Sequence, residues 1–129
     1  MAYPAHYRYT REHEWIQLEG LLGTIGITDY AQNSLGDIVY VDLPKLGDAV
    51  TAGAVFCSVE SVKAVSDLYA PVSGTVAAIN EELTGAPEQI NSAPHESWII
   101  KVKLSNPAEL DSLLDAAAYE DFVAEETGH

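Results

Sequence analysis

The chain has little basic charge. Six lysine and arginine residues stand against 20 aspartate and glutamate residues, and the formal net charge is −14 over 129 residues. A surface of this sign repels the phosphates of nucleic acids and the headgroups of anionic membranes. We therefore expect no nucleic-acid partner and no membrane partner, and we expect a soluble monomer. The charge also suits cationic partners, but taken alone it favours the simpler interpretation that acidity keeps a small protein soluble.

Cysteine and long apolar runs are also scarce. Cys57 is the single cysteine, which excludes an internal disulfide and fits a reducing compartment. Its apolar neighbours indicate a small buried thiol rather than a reactive one. No apolar run approaches the roughly 20 residues of a transmembrane helix, and MAYPAHYRYT at the start resembles neither a secretory signal nor a transit peptide. We expect a bacterial cytoplasmic protein, or a mitochondrial matrix protein if the source is eukaryotic and the chain is processed.

Short strand-forming segments separated by glycine and proline dominate the chain. They are HEWIQLEG, LLGTIGIT, DIVYVDL, DAVTAGAVFCSVESV, AVSDLYAPV, TVAAIN and SWIIKVKL. Alternating and β-branched residues of this kind are typical of strands, and we expect turns at Glu19-Gly20 and Ser73-Gly74 and a loop over 85–87. The pattern predicts one mainly β domain over residues 1–129, a sandwich or flattened barrel of two antiparallel sheets.

Two segments carry helix signals. Thr28 as N-cap and Gly36 just past the end predict a short helix between them. A second helical segment is predicted to begin at Asn106, where Asn-Pro-Ala-Glu forms a typical helix start, and to break near Ala116. Its apolar residues, which we expect to pack on the sheet, are Leu110, Leu113, Leu114 and Ala117. We expect residues 124–129 to form a disordered tail.

One lysine stands at the centre of a pseudo-palindrome. In VESVKAVSDLYAPVSGTV, residues 59–76, the run Glu60 to Lys63 is mirrored by the run Ala64 to Asp67. The symmetry predicts a β-hairpin with a two-residue type I turn at Lys63-Ala64. The expected cross-strand pairs are Val62 with Val65, Ser61 with Ser66 and Glu60 with Asp67. Exposed lysines generally serve solubility. A scarce one held rigidly at a hairpin tip is instead accessible to a modifying enzyme, as a swinging-arm attachment site requires.

Three stretches resemble the glycine cleavage H-protein family: VESVKAVSDLYAPVSG, GITDYAQNSLGDIVYVDLP and HEWI. The resemblance extends from about residue 7 to residue 123. It implies a lipoyl/biotinyl-type fold with lipoate attached covalently to Lys63. Biotinyl domains usually have methionine on both sides of the lysine, whereas this chain has Val62 and Ala64. The resemblance also implies that Glu60 and Gly74 help a lipoylating enzyme to recognise the hairpin.

The function that the resemblance implies is that of a carrier and not of an enzyme. The arm would take the methylamine group of glycine from a pyridoxal-phosphate-dependent glycine decarboxylase (P protein) to an aminomethyltransferase (T protein). A dihydrolipoamide dehydrogenase (L protein) would then reoxidise it. The implied partners are these three enzymes and the lipoylating enzyme.

The resemblance further implies a cleft between the N-terminal strand and the lipoyl hairpin that shelters the methylamine-loaded arm. A buried ammonium group needs acceptors and preferably a carboxylate. In this chain the nominated residues are Glu12, Glu14 and Asp67. From the residues alone, they would be three solvated acids among twenty.

Two other hypotheses belong to different classes. One is a related lipoyl carrier that serves lipoate transfer or sulfur metabolism. The other is an enzyme with Lys63 as a Schiff-base nucleophile, which is disfavoured because such a lysine is usually buried to lower its pKa. No catalytic residue and no metal site are predicted, since Ser61 and Ser66 lie beside no base and the histidines lack regular ligand spacing. These histidines are His6, His13, His95 and His129.

Overall fold

Short alternating strands build two antiparallel sheets in the computed structural model, which describes residues 3–126. The strands are β1 Arg8–Tyr9, β2 Glu14–Glu19, β3 Leu22–Ile27, β4 Ile38–Asp42, β5 Ala49–Val50, β6 Val55–Ser61, β7 Val65–Tyr69, β8 Gly74–Ile79 and β9 Ile100–Leu104. The helices are α1 Asp29–Leu35, α2 Glu82–Gly85, α3 Gln89–Ser92, a 3₁₀ helix Pro107–Ser112 and α4 Ala116–Glu126. The predicted mainly β architecture of two antiparallel sheets is confirmed.

The two sheets differ in size. One has six strands in the order β1-β2-β3-β9-β8-β5, and the other has three strands in the order β4-β6-β7. Ile25 and Ile100 from the large sheet and Val59 from the small one are fully buried in a shared apolar core. Burial of such side chains is the main stabilising contribution to a fold of this kind. The inner face of the small sheet thus packs on the large sheet, and Lys63 lies in the turn that connects β6 and β7.

Helix α1 connects the two sheets, and its ends are those that the sequence predicts. The side chain of Thr28 accepts a hydrogen bond from the backbone N–H of Ala31 at 3.2 Å. Gly36 follows the last helical residue with a φ of +80°, a conformation that glycine adopts without a Cβ clash. The chain then turns directly into β4, so the end of α1 lies at the start of the small sheet.

The predicted register of the β6–β7 hairpin is wrong by two residues. Glu60 pairs with Val65, and Asp67 pairs with Ser58. The backbone N–H of Ser61 donates to the carbonyl of Ala64 at 2.8 Å, so the two turn residues are Val62 and Lys63. Among the described non-glycine residues only His13 has a positive φ, which agrees with the predicted exclusion of the primed turns.

The side chain of Ser61 explains the register. Its Oγ accepts hydrogen bonds from the backbone N–H groups of Lys63 and Ala64, both at 3.2 Å. A serine hydroxyl used in this way closes a turn that begins at the serine. The like-charge pair expected between Glu60 and Asp67 is therefore not formed.

Other expectations hold only in part. The first hairpin turns at Gly20 and Leu21 rather than at Glu19 and Gly20, because Glu19 pairs with Leu22. Of the expected loop over 85–87, Gly85 ends α2, and the other two residues lie between α2 and α3, two single-turn helices that were not predicted. Short polar segments of this kind have no sustained periodicity from which a helix could be predicted.

The C-terminal segment is helical in two pieces, as predicted, but the break lies at residues 113–115, just before Ala116. Leu114 forms a β-bridge with Tyr9 in this break. Ala117, which was expected to pack on the sheet, is exposed, and Ala116 is buried instead. Residues 124–126 of the expected disordered tail belong to α4, and residues 127–129 lie outside the described residues.

Helix α4 packs on a second, aromatic cluster at the N-terminal edge of the large sheet. Tyr9 and Tyr119 stack with ring centroids 4.7 Å apart, and Trp15 belongs to the same cluster. The hydroxyl of Tyr119 lies 2.7 Å from the hydroxyl of Thr28 and 2.8 Å from Nδ1 of His13. These contacts fix the segment between β1 and β2, residues 10–13, at the edge of the sheet.

We predict that Gly74→Ala destabilises the fold by more than about 2 kcal/mol, because overpacking against backbone cannot relax easily. A Cβ at position 74 would lie 2.0 Å from the carbonyl oxygen of Lys103 on β9. Gly85→Ala is the matched control, since its Cβ would meet nothing within 4 Å. Chemical denaturation measures both variants. Equal stability of the two variants would show that β8 and β9 need no glycine at their point of contact.

Candidate functional site

The tip of the β6–β7 hairpin presents Lys63 to solvent. Val62 and Val65 on either side are 68% and 63% exposed. The Nζ of Lys63 donates to the carbonyl oxygen of Ser34 at 3.0 Å, and the backbone N–H of Val62 donates to the carbonyl of Asp37 at 3.0 Å. The amine is accessible, and the tip that carries it is fixed to the segment between α1 and β4.

Glu14 is not a solvated acid, because its side chain is 1% exposed. Glu14 is the first residue of β2 in the large sheet and directly follows the segment 10–13. Its Oε1 accepts a hydrogen bond from the hydroxyl of Thr10 at 2.5 Å, and its Oε2 accepts one from the backbone N–H of Tyr69 at 3.2 Å. Tyr69 ends β7, so this carboxyl group joins the large sheet to the hairpin strand that leads away from Lys63.

Burial raises the pKa of Glu14 from 4.5 to about 7. Desolvation disfavours the carboxylate, and the charge of Glu12 adds to that effect. The hydrogen bonds from Thr10 and Tyr69 act in the opposite direction and lower the pKa. The carboxyl group therefore changes its charge near neutral pH, and a nearby cation would favour its ionised form.

Glu14 and Glu12 line the same cleft, which has a volume of about 380 Å³. Its walls come from the segment around residues 9–14, from residues 52–53, from the end of β7 and the two residues after it (69–71), and from residues 112–114. Arg11 lies at the same cleft and was not singled out from the sequence. The structure thus brings two of the three nominated acids together, between the N-terminal strands and the hairpin.

Asp67 is not in this cleft. It is exposed and lines a separate cleft of about 300 Å³ together with Asp42 and Ser58. Residues alternate between the faces of a strand, so Asp67 shares the outer face of β7 with Val65 and Tyr69. It is positioned on the strand between the hairpin tip and the cleft that contains Glu14.

The two nominated recognition residues lie on different sheets. Glu60 is exposed on β6 of the small sheet, where it pairs with Tyr40 on one side and Val65 on the other. Gly74 begins β8 of the large sheet and pairs with Leu104. Glu60 is therefore exposed beside the lysine, while Gly74 lies where two strands approach closely.

The remaining reactive side chains have structural partners. Burial raises the pKa of the Cys57 thiol to about 12. Nε2 of His13 lies 3.1 Å from a carboxylate oxygen of Glu126, and Nε2 of His95 accepts from the backbone N–H of Asp29 at 3.2 Å. Residues 3–126 bring together no group of three metal-ligating side chains, and they form no helix long and apolar enough to cross a membrane. His129 lies outside the described residues.

Besides Arg11, sequence reasoning missed two residues that hold parts of the site in place. Thr10 holds the carboxyl group of Glu14, and its spacing of four residues before Glu14 in TREHE is the signal that could have indicated it. Asn91 on α3 bonds to the segment between α1 and β4, and no local pattern points to it because its partners are 53 to 59 residues away.

Comparisons with known proteins all point to one family. The family model described as "Glycine cleavage H-protein" matches residues 7–126. Proteins named "Glycine cleavage system H protein" from Acidobacterium capsulatum and Koribacter versatilis are 71% and 62% identical to this chain, each over 129 residues and the whole of both chains. A crystal structure of a glycine cleavage system H protein from Mycobacterium marinum has a TM-score of 0.81 at 32% identity, covering 97% of this chain and 99% of that one.

We predict that the unfolding free energy of Glu14→Gln increases relative to that of the parent as pH rises from about 4.5 to 8. The folded parent holds the proton up to pH about 7, while the unfolded chain loses it near 4.5, so rising pH favours the unfolded parent. The difference in unfolding free energy should grow by about 3 kcal/mol across this interval. Urea denaturation at several pH values measures it, and a difference that does not change with pH would contradict the raised pKa.

Proposed function

Because the chain belongs to the glycine cleavage H-protein family, we propose that Lys63 is the residue to which its lipoyl group is attached. The protein is a carrier component of the glycine cleavage system and catalyses none of its steps. The observation that supports Lys63 is its place in the tightly bonded turn of an exposed hairpin, where a second enzyme can reach the amine.

The site fits a lipoyl group. Acylation needs an accessible amine, which Lys63 offers, and the cleft at Glu14 lies beside the end of the strand that follows it. When attached, the lipoyl group supplies a dithiolane that accepts the methylamine unit of glycine and gives it up again. The chain's own residues position the arm and receive the charged unit that it carries.

The partners are the enzymes of the same system. They are glycine decarboxylase (P protein), aminomethyltransferase (T protein) and dihydrolipoamide dehydrogenase (L protein), together with the enzyme that attaches lipoate. The carrier presents one arm to each of these enzymes in turn, and tethering raises its effective concentration there.

Recognition by the lipoylating enzyme is proposed to use Glu60 and Gly74 in different ways. Glu60 is exposed next to the turn and can contact the enzyme directly. The backbone of Lys103 on β9 lies so close to Gly74 that a side chain would not fit between them. Gly74 therefore contributes by letting β8 and β9 pair in register. We further propose that residues 1–129 form a single lipoyl-carrier domain, monomeric and located in the bacterial cytoplasm. The bacterial origin of the relatives supports this location.

Glu12 and Glu14 are proposed to receive the methylamine unit, which is cationic, and Asp67 is proposed to lie along the path of the arm toward them. Glu14 is buried and shielded from water, so its charge acts in a medium of low dielectric constant and attracts a cation strongly. Arrival of a cation lowers the pKa of Glu14 and lets the buried carboxyl group lose its proton near neutral pH. Glu12 lies at the same cleft, and Asp67 lies on the outer face of the strand that leads to it.

We predict that Lys63→Arg folds normally but takes up no lipoyl group and supports no glycine decarboxylation. Arginine retains the charge but cannot form the lipoyl amide, and substitution at an exposed turn shifts stability by less than about 0.5 kcal/mol. Lys45→Arg, at another exposed lysine, is the control and should be lipoylated normally. Intact mass and peptide mapping after lipoylation give the result. A lipoyl group found on Lys63→Arg, or elsewhere than on Lys63 in the parent, would refute the assignment.

We also predict that Glu14→Gln loses its methylamine unit about tenfold faster than the parent, which corresponds to about 1.4 kcal/mol of lost stabilisation. Glutamine keeps the volume and the acceptor for Tyr69 but removes the charge. The measurement is release of ammonia and formaldehyde from the isolated loaded protein. Glu81→Ala, at an exposed acid at the start of α2, should release both at the parental rate. If the two variants release them equally slowly, Glu14 does not shelter the unit.

A further inference from the structure

The C-terminal end of α1 receives its positive charge from another element. The last turn of this helix contains no basic residue of its own. Backbone carbonyls at a helix end lack intrahelical donors, and they favour a cation. Here the carbonyl of Gln32 accepts from the N–H of Gly36 at 3.0 Å, and the carbonyl of Ser34 accepts from Nζ of Lys63 at 3.0 Å.

The stem of Lys63 also lies against this end of the helix. A Cβ added to Gly36 would lie 3.2 Å from Cε of Lys63, so the absent side chain at position 36 leaves room for the lysine. Next to it, the carbonyl of Asp37 accepts from the N–H of Val62 at 3.0 Å. Backbone and side chain of the hairpin tip thus rest on the same segment, residues 34–37.

Asn91 holds this segment in place from α3. Its Oδ1 accepts from the backbone N–H of Ile38 at 2.8 Å. Its Nδ2 donates to the carbonyl of Gly36 at 2.9 Å and to the side-chain oxygen of Gln32 at 3.0 Å. One side chain therefore bridges the end of α1 and the start of β4, and its bonds lie on both sides of the residues that the lysine contacts.

We propose that residues 34–37, which we name the lysine seat, anchor the base of the Lys63 arm both before and after lipoylation, and that Asn91 is the positioning residue of this seat. The proposal rests on the proposed attachment of lipoate to Lys63. Acylation of Nζ by an activated lipoyl donor forms one N–C bond and breaks the bond between the acyl carbon and the donor's leaving group. The ammonium group gives up two protons to the solvent, and the leaving group departs with its bonding electrons. The product amide keeps a single N–H, which can still donate to the carbonyl of Ser34.

Anchoring at Nζ affects what the arm can do. The lysine stem keeps one direction, and only the part beyond the amide moves freely. Restricting the freedom of a tethered group reduces the entropy lost when it enters a site. The bond becomes weaker once the charge is gone, because hydrogen bonds from charged donors are roughly twice as strong as neutral ones. The seat therefore orients the arm without holding it permanently.

NMR of the full-length lipoylated protein with ¹⁵Nζ-labelled lysine tests the seat. We expect the Lys63 Nζ–H to exchange with water about ten times more slowly than the same amide in a lipoylated peptide of residues 59–67. We also expect nuclear Overhauser effects between the Hε protons of Lys63 and the Hα protons of Gly36, in the unmodified and the lipoylated protein. The proposal would be overturned if the Lys63 Nζ–H exchanged with water as fast as in the peptide and no nuclear Overhauser effect joined Lys63 to Gly36.

The role of Asn91 is tested with two variants and a control. Asn91→Ala should bring the exchange of the Lys63 Nζ–H close to the peptide rate, and Asn91→Asp, which keeps the acceptor for Ile38 but loses both donated bonds, should act in the same direction. Asn33→Ala is the control, because within residues 3–126 the exposed side-chain amide of Asn33 bonds to Asp29 alone. The Ile100 amide on β9 serves as internal reference, and equal loss of protection there would reduce Asn91 to a stabilising residue and refute its positioning role.

Peptide mapping of the same sample separates the two proposals. If Lys63 carries no lipoyl group, the proposed attachment is refuted. The nuclear Overhauser effects between Lys63 and Gly36 in the unmodified protein would still decide whether the seat exists. A lipoyl group present on Lys63 together with an unprotected Nζ–H would refute the seat alone.

Discussion

The buried carboxyl group of Glu14 connects the two sheets at the end of the molecule that contains the candidate site. It stands on β2 of the large sheet and accepts a hydrogen bond from Tyr69 of the small one. A carboxyl group without such partners would be costly to bury, so the loop with Thr10 and the end of β7 must both lie close to it. These elements converge on one polar group and so form the cleft beside Glu14. The charge state of the Glu14 carboxyl group depends on what enters this cleft.

The architecture could be predicted from local patterns because the strands, the cap of α1 and the proline that begins the 3₁₀ helix each have a local physical cause. The hairpin register could not. A slip of one residue moves every side chain to the other face, whereas a slip of two residues leaves the apolar faces unchanged. Alternation along β6 and β7 therefore fits both registers, and the hydroxyl of Ser61 determines which one forms.

The residues of the candidate site could also be predicted only as far as each has a signal in the nearby sequence. Lys63 could be recognised because it is a scarce residue type in a symmetric segment. Glu14 was nominated by family resemblance, and only packing shows that it is buried. Asn91 has neither signal, because a residue that acts across more than 50 positions of the chain leaves no periodic trace near its partners. Residues of this kind become visible only when the segments that they bridge are placed in space.

The burial of Cys57 matters for a protein whose arm contains a disulfide. A thiolate on the same chain would attack the dithiolane and form an internal mixed disulfide that no partner enzyme could use. The pKa of Cys57, raised from 9 to about 12, lowers the thiolate fraction at neutral pH roughly a thousandfold. The side chain is also closed off from solvent on β6, six residues from the lysine. The fold thereby keeps the cargo chemistry of the arm separate from the thiol in its own core.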